Sequence, residues 1–266
     1  MTVMIALLAI LGWLFGIAVN LLADSLPQPR RWAGPHCRAC TAPRPPSAWS
    51  SLLAIPLGAG RCAYCGTRRG LRWPAVELIG MAGFGLLYLR DSRPAMLLAA
   101  LLVGFTFLLI TVIDLEHRLI PNVIVLPAAV VLGAIGILDP SRGAAKVLAG
   151  GLAGAGSFYV LYLMGGVFAR AMSRARGQPI DEVAFGFGDV TLAGLIGLIV
   201  GWPAVVLALL IGILAAGLFS LGHVLVSLLR RRYSAFTPIP YGPFLILGAS
   251  LVYFGGRALF QSILLP

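Results

Sequence analysis

Long apolar runs separated by short polar stretches restrict the fold of this chain more than any other feature. A helix that crosses a bilayer needs about 20 mostly apolar residues. Such runs lie at residues 3–22, 73–90, 95–114, 121–138, 147–169, 187–201, 204–229 and 241–264. The runs are continuous and lack the polar/apolar alternation of barrel strands, which excludes a membrane barrel. The sequence therefore predicts an all-α polytopic membrane protein with about eight transmembrane helices.

One polar stretch is long enough to form a small domain. We predict a first transmembrane helix at residues 1–22, a loop domain at 23–72 and a multi-helix membrane domain at 73–266. Only Gly201-Trp202-Pro203 separates the sixth and seventh apolar runs, so the sequence defines those two boundaries least well.

The basic residues predict an orientation. Eight of the 20 Lys and Arg residues lie in the 23–72 loop, and most of the others lie on loops of the same predicted side. Because an excess of Lys and Arg marks the cytoplasmic side, we expect the loop and the ends that carry Asp114 and Asp189 to face the cytoplasm. Topology and contact with anionic lipid account for the net charge of +11, so we predict membrane lipids as partners and no nucleic acid.

All four cysteines lie in this loop as two C-x₂-C pairs, Cys37 with Cys40 and Cys62 with Cys65, separated by 21 residues. This spacing is typical of a structural zinc site with four thiolate ligands, and closed coordination leaves no position for catalysis. Two alternatives are a pair of disulfides, which a reducing cytoplasm disfavours, and a redox-active C-x-x-C pair, which lacks its usual βαβ surroundings. His36 is an alternative ligand.

Two carboxylates stand out because the chain has only nine acidic residues. Asp114 ends the third apolar run and Asp189 begins the sixth, and an ionisable group at the bilayer boundary is by default a functional site. We expect the two to meet at one depth, share a proton and act as an aspartyl protease pair. Gly186 and Gly188 precede the second acid, and their small size would let an extended substrate approach it.

A structural interpretation of these acids is an alternative. Asp114 and Asp189 would then be interfacial residues paired with Arg118 and with Arg170 or Arg174. Glu77, near the start of the second run, is interpreted as an interface residue that pairs with Arg72.

Five blocks of the chain, in order, resemble those of the type IV prepilin peptidases, a family of intramembrane aspartyl proteases of the GxGD type. They are the four-cysteine pattern, Leu71-Arg72-Trp73-Pro74-Ala75-Val76-Glu77, Ile113-Asp114-Leu115-Glu116-His117-Arg118-Leu119-Ile120-Pro121-Asn122, Gly186-Phe187-Gly188-Asp189 and Ile239-Pro240-Tyr241-Gly242-Pro243-Phe244-Leu245.

The resemblance implies cleavage of prepilins and pseudopilins after a Gly, usually before a Phe, at the cytoplasmic face of the bacterial inner membrane, with Asp114 and Asp189 as the catalytic pair. Many members also N-methylate the new amino terminus with S-adenosylmethionine. The amino-terminal block matches the family at only Gly16, Asn20, Leu26 and Pro27, which leaves this second activity open.

Two other classes of function remain as alternatives. A transporter or ion channel would use the two carboxylates as a proton or cation relay, although such proteins tend to show internal repeats, and we find none here. A zinc-knuckle membrane scaffold would have no chemistry, and only its cysteines would be essential.

Overall fold

The computed structural model describes residues 2–27, 36–37, 39–176, 186–230 and 240–264, and these residues are helical wherever they are regular. The helices are α1 (Thr2–Ser25), α2 (Ser51–Ala54), α3 (Arg72–Arg90), α4 (Pro94–His117), α5 (Asn122–Leu138), α6 (Ala144–Arg176), α7 (Phe187–Val200), α8 (Ala204–Leu229) and α9 (Gly242–Leu264), with a 3₁₀ turn at Pro46–Ala48. No strand occurs within these ranges, and the predicted all-α class is confirmed.

A long helix coincides with each of the eight apolar runs. Four of them, α1, α4, α6 and α8, are long and apolar enough to cross a membrane, while α5, α7 and α9 contribute shorter apolar stretches. Helix α6 extends beyond the predicted run at both ends. Its carboxyl-terminal extension includes Arg170 and Arg174, and a helix whose backbone is bonded internally can continue into water with polar side chains.

The predicted break between the sixth and seventh runs is present. Helix α7 ends where Gly201 adopts a positive φ of 78°, a conformation that favours glycine, and α8 begins after Pro203. The chain divides into two compact units, Met1–Ile113 and Asp114–Pro266, which we describe separately.

Unit 1 is built on the antiparallel pair α1 and α3. The backbones of Gly12 and Gly80 touch, so that a Cβ on either residue would overlap the carbonyl of the other. Small residues at a crossing allow this close approach between membrane helices. Phe15 then packs its ring 4.9 Å from that of Phe84 and 5.2 Å from that of Phe105 on α4.

Unit 2 is organised around α7, whose side chains are buried on most sides. Leu192, Leu195 and Ile196 are at most 1% exposed. The backbone of Gly197 touches that of Gly150 on α6, in the Gly150-x₃-Gly154 step. Gly133 of α5 lies against the side chain of Leu198, the next residue of α7. The most enclosed helix of this unit therefore carries Asp189 in its first turn.

Candidate active site and metal centre

Asp114 lies near the carboxyl end of α4 and is only 4% exposed. The backbone N–H of Gly242, the first residue of α9, donates a hydrogen bond of 3.0 Å to its Oδ2. A Cβ added to Gly242 would lie 2.8 Å from the same oxygen. Glycine is therefore the residue that lets α9 begin directly against this carboxylate.

Asp189 occupies the first turn of α7, where the helix dipole favours a negative charge. The backbone N–H of Gly186 donates a 3.0 Å hydrogen bond to its Oδ2, which closes the turn and orients the carboxylate. Thr191 lies two residues further along α7, with its Oγ1 3.0 Å from Oδ1 of Asn122 on α5. This contact links the start of α7 to the start of α5.

One residue of unit 2, Ile120 in the loop after α4, lies against the surroundings of both acids. A Cβ on Gly188, the residue before Asp189, would lie 2.9 Å from its Cβ, and a Cβ on Gly242, which donates to Asp114, would lie 3.4 Å from its Cδ1. The starts of α7 and α9 therefore both lie against the loop that follows Asp114. The backbone donor at Gly242 could not be predicted from the sequence, because Asp114 lies 128 positions away and every residue except proline carries the same N–H.

The two glycines that precede Asp189 differ in surroundings. Gly188 packs against the loop after α4, where a Cβ would lie 2.9 Å from that of Ile120. Gly186 is exposed, and the nearest atom to an added Cβ there is Oδ2 of Asp189 at 3.7 Å. Open space next to the carboxylate is thus found at Gly186, whereas Gly188 is used for packing.

The four cysteines form one cluster in unit 1, with all Sγ atoms within 4.8 Å of one another. Sγ of Cys37 lies 3.7 Å from that of Cys65, and Sγ of Cys40 lies 3.6 Å from that of Cys62. A tetrahedral zinc ion with Zn–S bonds of about 2.3 Å needs sulfur atoms about 3.8 Å apart. The cluster fits this geometry. The thiols are free, and His36 is not part of the cluster.

The two C-x₂-C segments, which we call the knuckles, have the same local structure. The N–H of the first cysteine, Cys37 or Cys62, donates to the carbonyl five residues later, and its own carbonyl accepts from the N–H four residues later. That fourth residue, Thr41 or Gly66, has a positive φ in each knuckle. Hydrogen bonds with the hydroxyl and N–H of Thr67 lower the pKa of the Cys65 thiol to about 6.

Glu77 differs from its predicted interfacial role. It is fully buried in unit 1, and Arg72 donates at 2.9 Å to Asp24. Oε1 of Glu77 accepts from the N–H and hydroxyl of Ser51, each at 2.7 Å. Its Oε2 accepts from the Ser50 hydroxyl, the Leu52 N–H and Trp13 Nε1 at 2.7, 3.2 and 3.0 Å. This carboxylate therefore ties the loop between the knuckles to α1 and α3.

Comparison with known protein families identifies the chain. Residues 100–221 match the sequence model of the type IV leader peptidase family, and residues 10–90 match that of the bacterial peptidase A24 amino-terminal domain. The chain belongs to the type IV leader peptidase family. The first match contains Asp114 and Asp189, and the second contains the four cysteines and Glu77. No solved structure matches the chain.

Several relatives carry the name prepilin leader peptidase/N-methyltransferase. The protein of Bacillus subtilis (strain 168) is 24% identical over 258 residues, which cover 96% of each chain. That of Aeromonas salmonicida (strain A449) is 29% identical over 204 residues, 75% of this chain and 64% of the relative. That of Pseudomonas aeruginosa is 26% identical over 281 residues, 96% of this chain and 91% of the relative. Membership of this family leaves the transporter alternative without support.

Proposed function

We propose that this chain is a membrane-embedded aspartic endopeptidase that removes the leader peptide of type IV prepilins or pseudopilins, with Asp114 and Asp189 as its catalytic residues. One observation carries the proposal. Two acids that are 75 positions apart in sequence each accept a hydrogen bond from a glycine N–H, and Ile120 lies against both Gly188, which precedes Asp189, and Gly242, which donates to Asp114. The alternative pairing with Arg118, Arg170 or Arg174 does not explain why the acids should meet.

The reaction requires one ionised and one protonated carboxyl group. Two carboxylates within reach of one water molecule share a proton, and in this proposal Asp114 and Asp189 form such a pair. The ionised group takes a proton from a water molecule, whose oxygen attacks the carbonyl carbon of the scissile bond, while the protonated group donates to the carbonyl oxygen. The carbon–nitrogen bond of the tetrahedral intermediate then breaks as its nitrogen gains a proton. The products are a leader with a new carboxyl group and a mature protein with a new amino group.

The substrate class follows from the relatives' names and the depth of the acids. A prepilin has a polar leader followed by an apolar helix, so its scissile bond lies at the membrane boundary. Asp114 lies in the last turn of α4 and Asp189 in the first turn of α7, and these helix-end positions support a site at such a boundary. We propose that this is the cytoplasmic face of a bacterial inner membrane, because the basic residues are concentrated on that predicted side.

The cysteine cluster has a separate role in this proposal. Zn²⁺ held by Cys37, Cys40, Cys62 and Cys65 would stabilise the loop, and the four sulfur ligands leave no open position for substrate. N-methylation with S-adenosylmethionine stays a prediction. Asn20, a matching residue of the amino-terminal block, is fully buried and donates at 3.1 Å to the Trp73 carbonyl, so its amide N–H joins α1 to α3.

The test is cleavage of a purified prepilin by the detergent-solubilised protein. Asp114→Asn and Asp189→Asn are each expected to reduce the rate of cleavage by about 10²- to 10⁴-fold, because each removes a proton acceptor or donor from the pair. Asp139→Asn is the matched control, since Asp139 follows the carboxyl end of α5 and accepts from Ser141. Full activity in either pair variant would refute the proposal. If the aspartate variants behaved like the unmodified protein and only cysteine variants were impaired, the scaffold alternative would be favoured.

A further inference from the structure

The loop between the two cysteine knuckles has an apolar end that the proposed reaction does not use. Residues 52–60, Leu-Leu-Ala-Ile-Pro-Leu-Gly-Ala-Gly, contain no polar side chain. Leu53, Ile55 and Leu57 are 48%, 52% and 72% exposed. We name residues 52–58 the apolar tip. Three large apolar side chains exposed together are unfavourable in water and mark a contact surface.

The depth of this segment follows from its contact with α1. Trp13 lies near the middle of the candidate span Val3–Ser25, about 18 Å along the helix axis from Ser25. Its Nε1 lies 3.1 Å from the hydroxyl oxygen of Ser50, two residues before the apolar tip. The half-thickness of the hydrocarbon layer is about 15 Å. Ser50 is therefore within one indole length of the middle of a membrane span, below the level of the lipid headgroups.

The backbone of the segment meets the strictest requirement of a lipid environment. In hydrocarbon every backbone N–H needs a partner within the protein. From Ser51 to Ala59 each N–H donates inside unit 1, and Pro56 has none to satisfy. The acceptors are the Glu77 carboxylate for Ser51 and Leu52, the Ser50 hydroxyl for Leu53, and carbonyls of residues 50–55 for Ala54, Ile55, Leu57, Gly58 and Ala59.

Glu77 supplies the hydrogen-bond acceptors that the first backbone N–H groups of α2 would otherwise lack in lipid. The N–H groups at the start of α2 have no partners within α2, and a water molecule would normally accept them. The buried carboxylate takes that place for Ser51 and Leu52, and it also accepts hydrogen bonds from Trp13 and the two serine hydroxyls. A loop exposed to water would not need a buried charge for this purpose.

We propose that the apolar tip is a re-entrant segment, inserted among the acyl chains of the bilayer leaflet on the side of the cysteine knuckles. The contact is lipid, and part of the stretch predicted as a loop domain at 23–72 thus lies inside the membrane. An alternative occupant of the same surface is the apolar helix of a prepilin. Depth and the internally bonded backbone favour lipid, because a protein-binding surface in water would need neither.

The test uses a photoreactive amino acid, p-benzoyl-phenylalanine, at Leu53, Ile55 or Leu57 of the full chain. The protein is reconstituted in vesicles of phosphatidylethanolamine and phosphatidylglycerol and irradiated, and lipid adducts are measured by mass spectrometry. Tyr64, which is 76% exposed in the second knuckle, is the matched control position. We expect several-fold more lipid adduct at each tip position than at Tyr64. Equal adducts at all positions, or none at the tip, would overturn the proposal.

A second measurement leaves the chain unchanged. The unmodified protein is irradiated in vesicles that contain a phospholipid with a diazirine at the end of one acyl chain, and the labelled peptides are mapped with and without a prepilin. Label in residues 52–58 that a prepilin does not displace is the expected result. Crosslinks from the tip to the prepilin, or protection of the tip by it, would assign the surface to substrate and overturn the lipid proposal.

Discussion

Gly242 holds its backbone N–H 3.0 Å from Oδ2 of Asp114, a residue 128 positions earlier in the chain. The first turn of α9 is thereby fixed against the end of α4, and a methyl group at Gly242 would lie 2.8 Å from the same oxygen. This contact leads to the sharpest prediction for the acid pair.

Gly242→Ala is expected to lower the rate of prepilin cleavage by about 10²-fold. The added methyl group would push the Asp114 carboxylate away from its position, and misplacing a reacting group by about 1 Å has an effect of that size. The measurement is a cleavage time course in detergent. Gly217→Ala in α8, where no atom lies within 4 Å of an added Cβ, is the control and should retain activity. Equal rates for the two variants would contradict the assigned role of Gly242.

Zinc content is the second prediction. The purified chain is expected to hold one zinc ion, and replacement of any one of the four cysteines by serine should lower the zinc-to-protein ratio measured by elemental analysis. Acidification should release the metal, since protons compete for the thiolates. His36→Ala is the matched control and should keep its zinc, as His36 lies outside the sulfur cluster. Full zinc content in the serine variants would refute the site.

The third prediction concerns Glu77→Gln. Each oxygen of the Glu77 carboxylate faces at least one N–H donor. In a glutamine, either orientation of the amide would therefore point its NH₂ group at another N–H group. Each lost charged hydrogen bond is worth about 1.5–3 kcal/mol. We expect faster hydrogen exchange at Ser51 and Leu52.

Glu116→Gln, a change of the same type at the end of α4, serves as its control and should leave exchange in the loop unchanged. Unchanged exchange in Glu77→Gln itself would show that the carboxylate does not hold the loop.

Helix packing in unit 2 gives the fourth prediction. Gly197→Ala places a methyl group against the backbone carbonyl of Gly150, which cannot rotate away, and such overpacking destabilises by about 1–3 kcal/mol. The apparent unfolding temperature in detergent should fall. Gly156→Ala, on an open face of α6, should leave it unchanged or raise it slightly, because alanine is the better helix former. A similar result for both variants would argue against tight α6–α7 contact.

The positions of the long helices could be predicted because a membrane span depends on a continuous stretch of sequence, a run of apolar residues bounded by Pro, Gly or charged residues. The four cysteines were predictable for the same reason, as two short motifs at a suitable separation. The meeting of Asp114 and Asp189 is predicted from the cost of isolated charge in lipid and stays a prediction. The structure shows that Gly188, which precedes Asp189, and Gly242, which donates to Asp114, both lie against Ile120.

Glu77 shows what sequence reasoning could not reach. Its partners Ser51 and Trp13 are 26 and 64 residues away, and a Glu five positions after Arg72 suggested an ordinary interfacial ion pair. One signal was present. A carboxylate within an apolar run needs donors, and Ser50-Ser51 directly before an apolar stretch is a typical helix amino-terminal cap. Pairing the two required the fold.

The dependence of Ser51 on Glu77 has a consequence for biosynthesis. Ser51 leaves the ribosome 26 residues before Glu77, which at about 5–20 residues per second is a delay of roughly one to five seconds. During that interval the nascent segment has Trp13 of α1 available but not the acceptor for its own amide groups. We expect chains truncated before residue 77 and released from the ribosome into membrane vesicles to be cut by protease between residues 50 and 57, and chains truncated after α3 to resist. The order in which the helices emerge would then decide when this part of the polypeptide can leave water.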